Sequence, residues 1–382
     1  MYSVSEFGSM IADERRTDAY VKALQDAVHP GSVVLDIGTG TGVFAILACR
    51  FGARHVYAVE PAEGIHVARR IAQENGVADR ITFIQDLSTR IALPERADVI
   101  ISDLHGVLPY YQSHIPSIVD ARTRHLAQNG TMIPLQDTLY AVVVTAPKQY
   151  EETVQPWERN KYDLSMNAAR HVVTNVWGRG NSKPEDFLVA PQVCATLDYR
   201  TITSADLSAT LSWTVERGGI AHGVTAWFDT QVAEGLCLSN APGQPELVYG
   251  HAFFPWTHPI AIVPGDEIQI KLQATLTADD YLWRWDTRIL DATKNNCVKA
   301  DFKQSTFHSI ILSTAQLAKK TATYVASLSE EGEIDRFILG HMDGTTRLGE
   351  IAQALQRQFP DQFPTLDEAL GRVGKLSQQY SR

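Results

Sequence analysis

The stretch Val33-Val34-Leu35-Asp36-Ile37-Gly38-Thr39-Gly40-Thr41-Gly42 constrains the fold of this chain more than any other. Its apolar opening reads as a buried parallel strand over 33–37, and its glycines as a tight turn into a helix over 43–51. Glycine is needed where a ligand lies against backbone, because a side chain would occupy the ligand's place. The next strand, over 55–59, ends at Glu60, a carboxylate placed to accept from both hydroxyls of a ribose. Strand, glycine turn, helix, strand and carboxylate in this order predict a nucleoside site on a doubly wound α/β sheet.

Spacing narrows the nucleoside. A dinucleotide site expects G-x-G-x-x-G with a helix N-terminus offered to pyrophosphate. Here the pattern is Gly38-x-Gly40-x-Gly42, and Asp36 stands just before it. An anion there suits a zwitterionic amino-acid tail better than a diphosphate. The arrangement is similar to motif I of the class I methyltransferases, which bind S-adenosylmethionine (SAM). The alternative is a glycine-rich turn that binds nothing. On the resemblance, Asp36, Gly38, Thr39 and Gly40 hold the methionine tail, Glu60 the ribose, and Asp86 and Leu87 border the adenine. SAM is the expected cofactor, and no metal is expected.

The 382 residues exceed the usual size of one domain. A net charge of −10 argues against a nucleic-acid partner, which needs a basic face. Cys49, Cys194, Cys237 and Cys297 form no C-x-x-C pair and read as reduced thiols of a cytoplasmic protein. No stretch reaches the apolar length of a membrane span, and the N-terminus, with Glu6, Asp13 and Glu14, has no signal-peptide core.

Along the chain, strands over 33–37, 55–59, 81–85, 98–102 and 131–133 alternate with helices over 43–51, 63–75 and 112–126, which predicts a parallel sheet. After about residue 135, period-2 runs over 139–145, 192–201, 208–214, 223–229 and 268–275 predict an antiparallel sandwich or barrel, with one or two helices within 150–190. Apolar stripes through Ile334, Ile338, Ile351, Leu355, Leu366, Leu370 and Val373 predict helices over 333–342, 347–359 and 366–376. The expected division is 1–135, 136–312 and 313–382. The last part loosely resembles the small winged-helix units that bind leader peptides, with a plain packing appendage as the alternative.

Beyond motif I, the chain resembles the protein arginine methyltransferases over roughly residues 2–290. Met10-Ile11-Ala12-Asp13-Glu14-Arg15-Arg16-Thr17-Asp18-Ala19-Tyr20 is similar to that family's M-L-x-D-x-x-R-T-x-x-Y helix, in which the arginine, here Arg16, grips the SAM carboxylate. Ser102-Asp103-Leu104-His105-Gly106, with Tyr111-Gln112-Ser113, aligns on its S-E-W-M-G…Y-E-S loop. Tyr162-Asp163-Leu164-Ser165-Met166 and Trp227-Phe228-Asp229 match further landmarks. The resemblance implies a SAM domain, a β-barrel and a homodimer made through an arm inserted in the barrel.

The departures fall where the methyl acceptor binds. The family's two acceptor glutamates correspond to Asp103 and Gln112, its T-H-W loop to Leu247-Val248-Tyr249, the following glutamine to His251, and its N-terminal histidine to Phe7. A guanidinium stays protonated. A second carboxylate at about 4 Å would add on the order of 4 kcal/mol of attraction at an effective dielectric near 20, which Gln112 does not supply. Asp103 is therefore expected to orient the acceptor and take its proton, Gln112 to add a polar contact, and His105 to serve as the alternative base. His251 is a weaker candidate. The leading expectation is methyl transfer to a guanidine or amine nitrogen of a small molecule or peptide, arginine foremost. A hydroxyl or amine of another secondary metabolite is the alternative acceptor, and a SAM-binding scaffold without catalysis the alternative class.

Overall fold

The computed structural model describes residues 3–159, 161–278, 280–294, 297–311 and 313–381. The chain divides into two compact units, Met1–Ile310 and Ile311–Arg382.

The first unit opens with two helices. In α1 (Val4–Ala12), Ser3 caps the N-terminus and Glu6 reaches back to the Ser3 amide at 2.6 Å. Asp13 then caps α2 (Glu14–Ala27), which buries Arg16, Ala19, Tyr20, Ala23 and Leu24 along one face at helical spacing. The strands β1 (Val33–Ile37), β2 (His55–Val59), β3 (Ile81–Ile84), β4 (Ala97–Ser102) and β5 (Leu126–Ile133) follow. Between them run α3 (Val43–Arg50), α4 (Gly64–Glu74) and α5 (His114–Arg124). Among the described residues these five strands form a wholly parallel sheet in the order β3-β2-β1-β4-β5. The order in which strands are added reverses at β1, so the carboxyl ends of β1, β2 and β4 surround a crevice of the kind where such sheets bind ligands. In the register, Ile37 faces Val59 on one side and Ser102 on the other. Gly38, Glu60 and Asp103 thus leave three adjacent strands side by side.

The remainder of the unit is antiparallel. Its strands are β6 (Gln136–Val144), β7 (Gly178–Gly180), β8 (Gln192–Asp198), β9 (Leu207–Thr214), β10 (Gly219–Ala233), β11 (Leu236–Ser239), β12 (His251–Ile262), β13 (Glu267–Thr277), β14 (Asp280–Asp291) and β15 (Cys297–Phe302). Two helices, α6 (Pro147–Glu158) and α7 (Asn167–Val173), occupy the irregular stretch as expected. Among the described residues one sheet runs β7-β12-β10-β6-β8 with β11 on β10, and another runs β15-β14-β13-β9. The fully buried Trp256, Trp283 and Trp285 lie in one continuous core that also holds Tyr20 and Leu35. β12 escapes the period-2 reading because it carries Pro255 and Pro259, residues that normally argue against a strand. Here β7 pairs only with 251–253, so the prolines sit where no ladder hydrogen bond is owed on that side.

The second unit holds α8 (Thr314–Ala318), α9 (Glu330–Gly340), α10 (Leu348–Gln358) and α11 (Leu366–Tyr380). Ile334, Ile338, Ile351, Leu355 and Val373 make its core, and Arg372 ties α11 to Asp335 and Glu331 of α9 at 2.6 and 2.7 Å. The winged-helix likeness extends to the helices alone, since no strand accompanies them among the described residues of this unit. Asp343 caps the loop before α10, accepting from the Thr345 and Thr346 amides at 2.8 Å each. Among the described residues, no helix is long and apolar enough to cross a membrane.

Candidate active site

The crevice at the carboxyl ends of β1, β2 and β4 is a cavity of about 780 Å³ lined by Arg16, Asp36, Gly38, Thr39, Gly40, Glu60, Asp86, Leu87, Asp103, His105 and Gln112 among others. Gly38, Gly40 and Gly42 all adopt the left-handed conformation. At Gly40 the reason for glycine is direct: a Cβ there would stand 2.6 Å from the Phe7 ring, which α1 lays over the turn. Glu60 is fixed through both oxygens, Oε2 accepting from the Gly40 amide at 3.1 Å and Oε1 from the Ala62 amide at 3.0 Å. Each oxygen keeps a lone pair for a further donor. Asp36 is buried, and burial pushes its carboxyl up to about 7 despite hydrogen bonds from the Thr39 hydroxyl, at 2.6 Å, and the Ala45 amide. A buried carboxylate held at this cost is matched to a cationic ligand group. These residues fit the ammonium and ribose of SAM. Asp86 accepts from the Leu87 amide at 2.7 Å on the cavity wall.

The other end of the cavity is a chain of buried charges. The Arg16 guanidinium lies over the Tyr20 and Phe44 rings, 5.6 and 5.8 Å from their centroids, and forks onto Asp103 Oδ2 through Nε and Nη2. The two residues expected to serve cofactor and acceptor separately are thus each other's partners. Tyr249 donates to the same oxygen at 2.8 Å. Asp103 Oδ1 meets His105 Nδ1 at 2.9 Å, and His105 Nε2 meets Asp137 Oδ2 at 2.7 Å. Carboxylates only accept, so both ring nitrogens carry hydrogen and the ring is an imidazolium. Burial alone would depress its pKa, but Asp137 and Asp103 overcome this and raise it to about 10. Burial likewise opposes ionisation of Asp103, yet Arg16, His105 and Tyr249 hold its carboxyl far below the usual range. Asp137 also accepts from the Tyr199 hydroxyl and, at 2.8 Å, from Thr230. Tyr199 in turn meets His114 Nε2 at 2.8 Å. Burial and the neighbouring imidazolium keep His114 neutral, with a pKa lowered to about 3. One donor atom each from His105, His114 and Asp137 lie within 4.8 Å of one another, but both His105 nitrogens are spent on carboxylates.

The cavity brings together the expected cofactor residues and Asp103, and corrects three expectations at the acceptor end. His105 is no free base: it has no nitrogen able to take a proton, and it acts by pinning Asp103. Gln112 is exposed, with its amide on the Tyr111 hydroxyl at 3.0 Å, so its contact with an acceptor is a rim contact. His251 lies outside the cavity lining. It opens β12 opposite Gly180, its ring fills the space a Cβ at Gly180 would need, and burial lowers its pKa. Sequence reasoning missed Asp137, Tyr199, Thr230 and Arg179. Only Asp137, a lone acid entering an apolar strand, left a signal.

Comparison with known proteins agrees with this fold. Residues 13–133 match the family described as ribosomal protein L11 methyltransferase, and residues 136–288 match the arginine methyltransferase oligomerization subdomain. The chain is similar to human protein arginine N-methyltransferase 2, at 30% identity over 276 residues covering 68% of this chain and 64% of that protein. It is 31% identical to the Dictyostelium discoideum protein arginine N-methyltransferase 2 over 237 residues, covering 59% of this chain and 46% of that protein. The chain therefore spans less than two thirds of the length of these relatives. Its fold is shared with Arabidopsis thaliana protein arginine methyltransferase 10, with a TM-score of 0.69 at 22% identity over 79% of this chain and 97% of that one. The Trypanosoma brucei PRMT1 enzyme–prozyme heterotetramer, solved with AdoHcy, gives 0.70 at 20% identity, covering 78% and 96%. The class these comparisons define is a fold that joins a Rossmann-like parallel sheet to antiparallel sheets. Within it, the chain is similar to the arginine methyltransferases along both parts.

Proposed function

We propose that the chain is a SAM-dependent methyltransferase acting on a guanidine or amine nitrogen, with arginine, free or in a peptide, as the favoured acceptor. The observation that carries this reading is Asp103: a buried carboxylate, held ionised, at the end of β4 in the cavity the glycine turn opens into. SAM supplies an electrophilic methyl carbon on a sulfonium; the remaining task is positioning, for which about 7–11 kcal/mol of barrier is available. Asp36 and the turn at Gly38–Gly40 hold the amino-acid tail, Glu60 the ribose, and Asp86 and Leu87 flank the base. Arg16 holds the tail carboxylate, which requires it to leave Asp103. That exchange raises the proton affinity of Asp103 Oδ2 and frees it to orient the acceptor nitrogen, while His105 keeps Oδ1 fixed.

The test is transfer of labelled methyl from SAM to L-arginine and to arginyl peptides, beside calorimetry with S-adenosylhomocysteine. Labelled product supports the reading. Binding without transfer to any guanidine, amine or hydroxyl acceptor selects the scaffold reading instead. A non-guanidine acceptor from secondary metabolism remains the second reading, favoured by Gln112, which is exposed and brings no charge to the cavity rim. The match of 136–288 to an oligomerization subdomain supports a homodimer, which light scattering checks. The free cysteines support a cytoplasmic setting.

A further inference from the structure

Once Arg16 is assigned to the cofactor, the buried charges at the acceptor end are Asp103, His105 and Asp137, and one exposed cation stands beside them. Asp103 is offset by the His105 imidazolium, whose other carboxylate, Asp137, is wholly buried behind it. A further cation, Arg179 of β7, lines the same cavity. Its backbone is fixed by the ladder to Ala252, and its guanidinium donates to the Val248 carbonyl at 3.0 Å. Gly250, in the left-handed conformation, lies beneath it, and a Cβ there would stand 3.2 Å from Nη1. Arg179 has no carboxylate partner among the described residues, and most of its N–H groups remain available. The residue after Val248 is Tyr249, whose hydroxyl donates to Asp103 at 2.8 Å. The cation and the acceptor carboxylate are therefore separated by one residue's backbone and side chain.

We propose that Arg179 is a specificity-determining residue that binds a carboxylate carried by the methyl acceptor, so that the substrate is a free guanidino α-amino acid, cationic end at Asp103 and anionic end at Arg179. This rests on the guanidine reading above and narrows it. An isolated guanidinium finds one carboxylate here where two would be needed to hold it well. A zwitterion meets both signs, and a guanidinium fork matches a carboxylate in bidentate fashion.

The experiment uses the full chain with SAM and three acceptors: L-arginine, agmatine (the same guanidine without the carboxylate), and an arginine inside an N-acetylated, C-amidated peptide. L-Arginine should exceed both others by about tenfold or more in kcat/KM, the difference lying in KM. Arg179→Ala should raise the KM for L-arginine about tenfold and leave agmatine unchanged, and Arg179→Lys should restore part of the loss. Arg179 is exposed, so its removal should leave the melting curve unchanged. Equal use of agmatine or the blocked peptide by the unmodified protein, or an equal loss on all three in Arg179→Ala, overturns the proposal. Should no guanidine be methylated, the reading of the reaction falls, and calorimetry on the S-adenosylhomocysteine complex decides the rest. L-Arginine binding that weakens in Arg179→Ala keeps the anion site, and absence of L-arginine binding overturns it.

Discussion

Asp36→Asn should stabilise the protein in the absence of cofactor and weaken its hold on cofactor, and the size of the gain follows from the burial of this carboxyl. In the unfolded chain it ionises near 3.8, whereas in the fold burial delays ionisation to about 7. Below 3.8 both states are neutral and folding is indifferent to the residue. Between these values the unfolded state ionises first, so folding loses stability as pH rises; above 7 the whole cost is present and constant. A separation of about three pH units corresponds to roughly 4 kcal/mol. Asparagine removes that cost but weakens the hydrogen bond from Thr39, about 1 kcal/mol. The net gain at pH 8 is then about 2–3 kcal/mol. Urea unfolding followed by circular dichroism, at pH 4.5 and pH 8, measures it. The variant's advantage should be small or negative at the lower pH and should grow to its full value at the higher one. S-Adenosylhomocysteine should meanwhile bind about tenfold or more weakly, since the cationic amino group loses its charged partner. An advantage that does not grow with pH would show an ordinarily ionised Asp36 and refute the argument that the site stores a carboxylate for a cation.

Three further outcomes follow. His105 has its pKa raised to about 10 from 6.5, so the stability it supplies is whole below 6.5 and is lost as pH rises through 10. Urea midpoints should fall between pH 8 and pH 10 more steeply in the native protein than in His105→Gln, and equal slopes would exclude the imidazolium. Gln112→Glu should raise kcat/KM on L-arginine only about two- to fivefold, because an exposed charge is screened and worth about 1 kcal/mol or less; no gain would mean that the acceptor does not pass this rim. His251→Ala should leave methyl transfer within about twofold, as its ring packs on Gly180 away from the cavity; a loss of about a hundredfold or more would restore it to the site.

What the sequence discloses here depends on whether a role is local. Asp36, Gly38, Gly40 and Glu60 lie within one strand–turn–helix–strand passage, so their spacing already placed them together on one cavity wall. The parallel sheet was legible for the same reason, each βα repeat carrying its own pattern. The acceptor end is assembled from segments far apart in the chain: Arg16, Asp103, Asp137, Tyr199, Thr230 and Tyr249 meet only because β4, β6 and β10 and the loop before β12 converge. Hence His105 read as an alternative base with a free nitrogen, while the fold places a carboxylate on each side of it. Tyr281, Trp283, Trp285 and Ile289 do alternate inward along β14, whereas the prolines of β12 conceal its strand character until its missing edge partner is seen.

The central claim is that one cavity holds cofactor at the glycine turn and presents the acceptor to Asp103. Asp103→Asn tests it most directly, with S-adenosylhomocysteine affinity and methyl transfer measured on the same preparation. Because Asp103 holds Arg16 in this structure, its neutralisation should leave affinity equal or tighter while transfer falls by about a hundredfold or more. Undiminished transfer, or loss of nucleoside binding in step with transfer, would contradict the account.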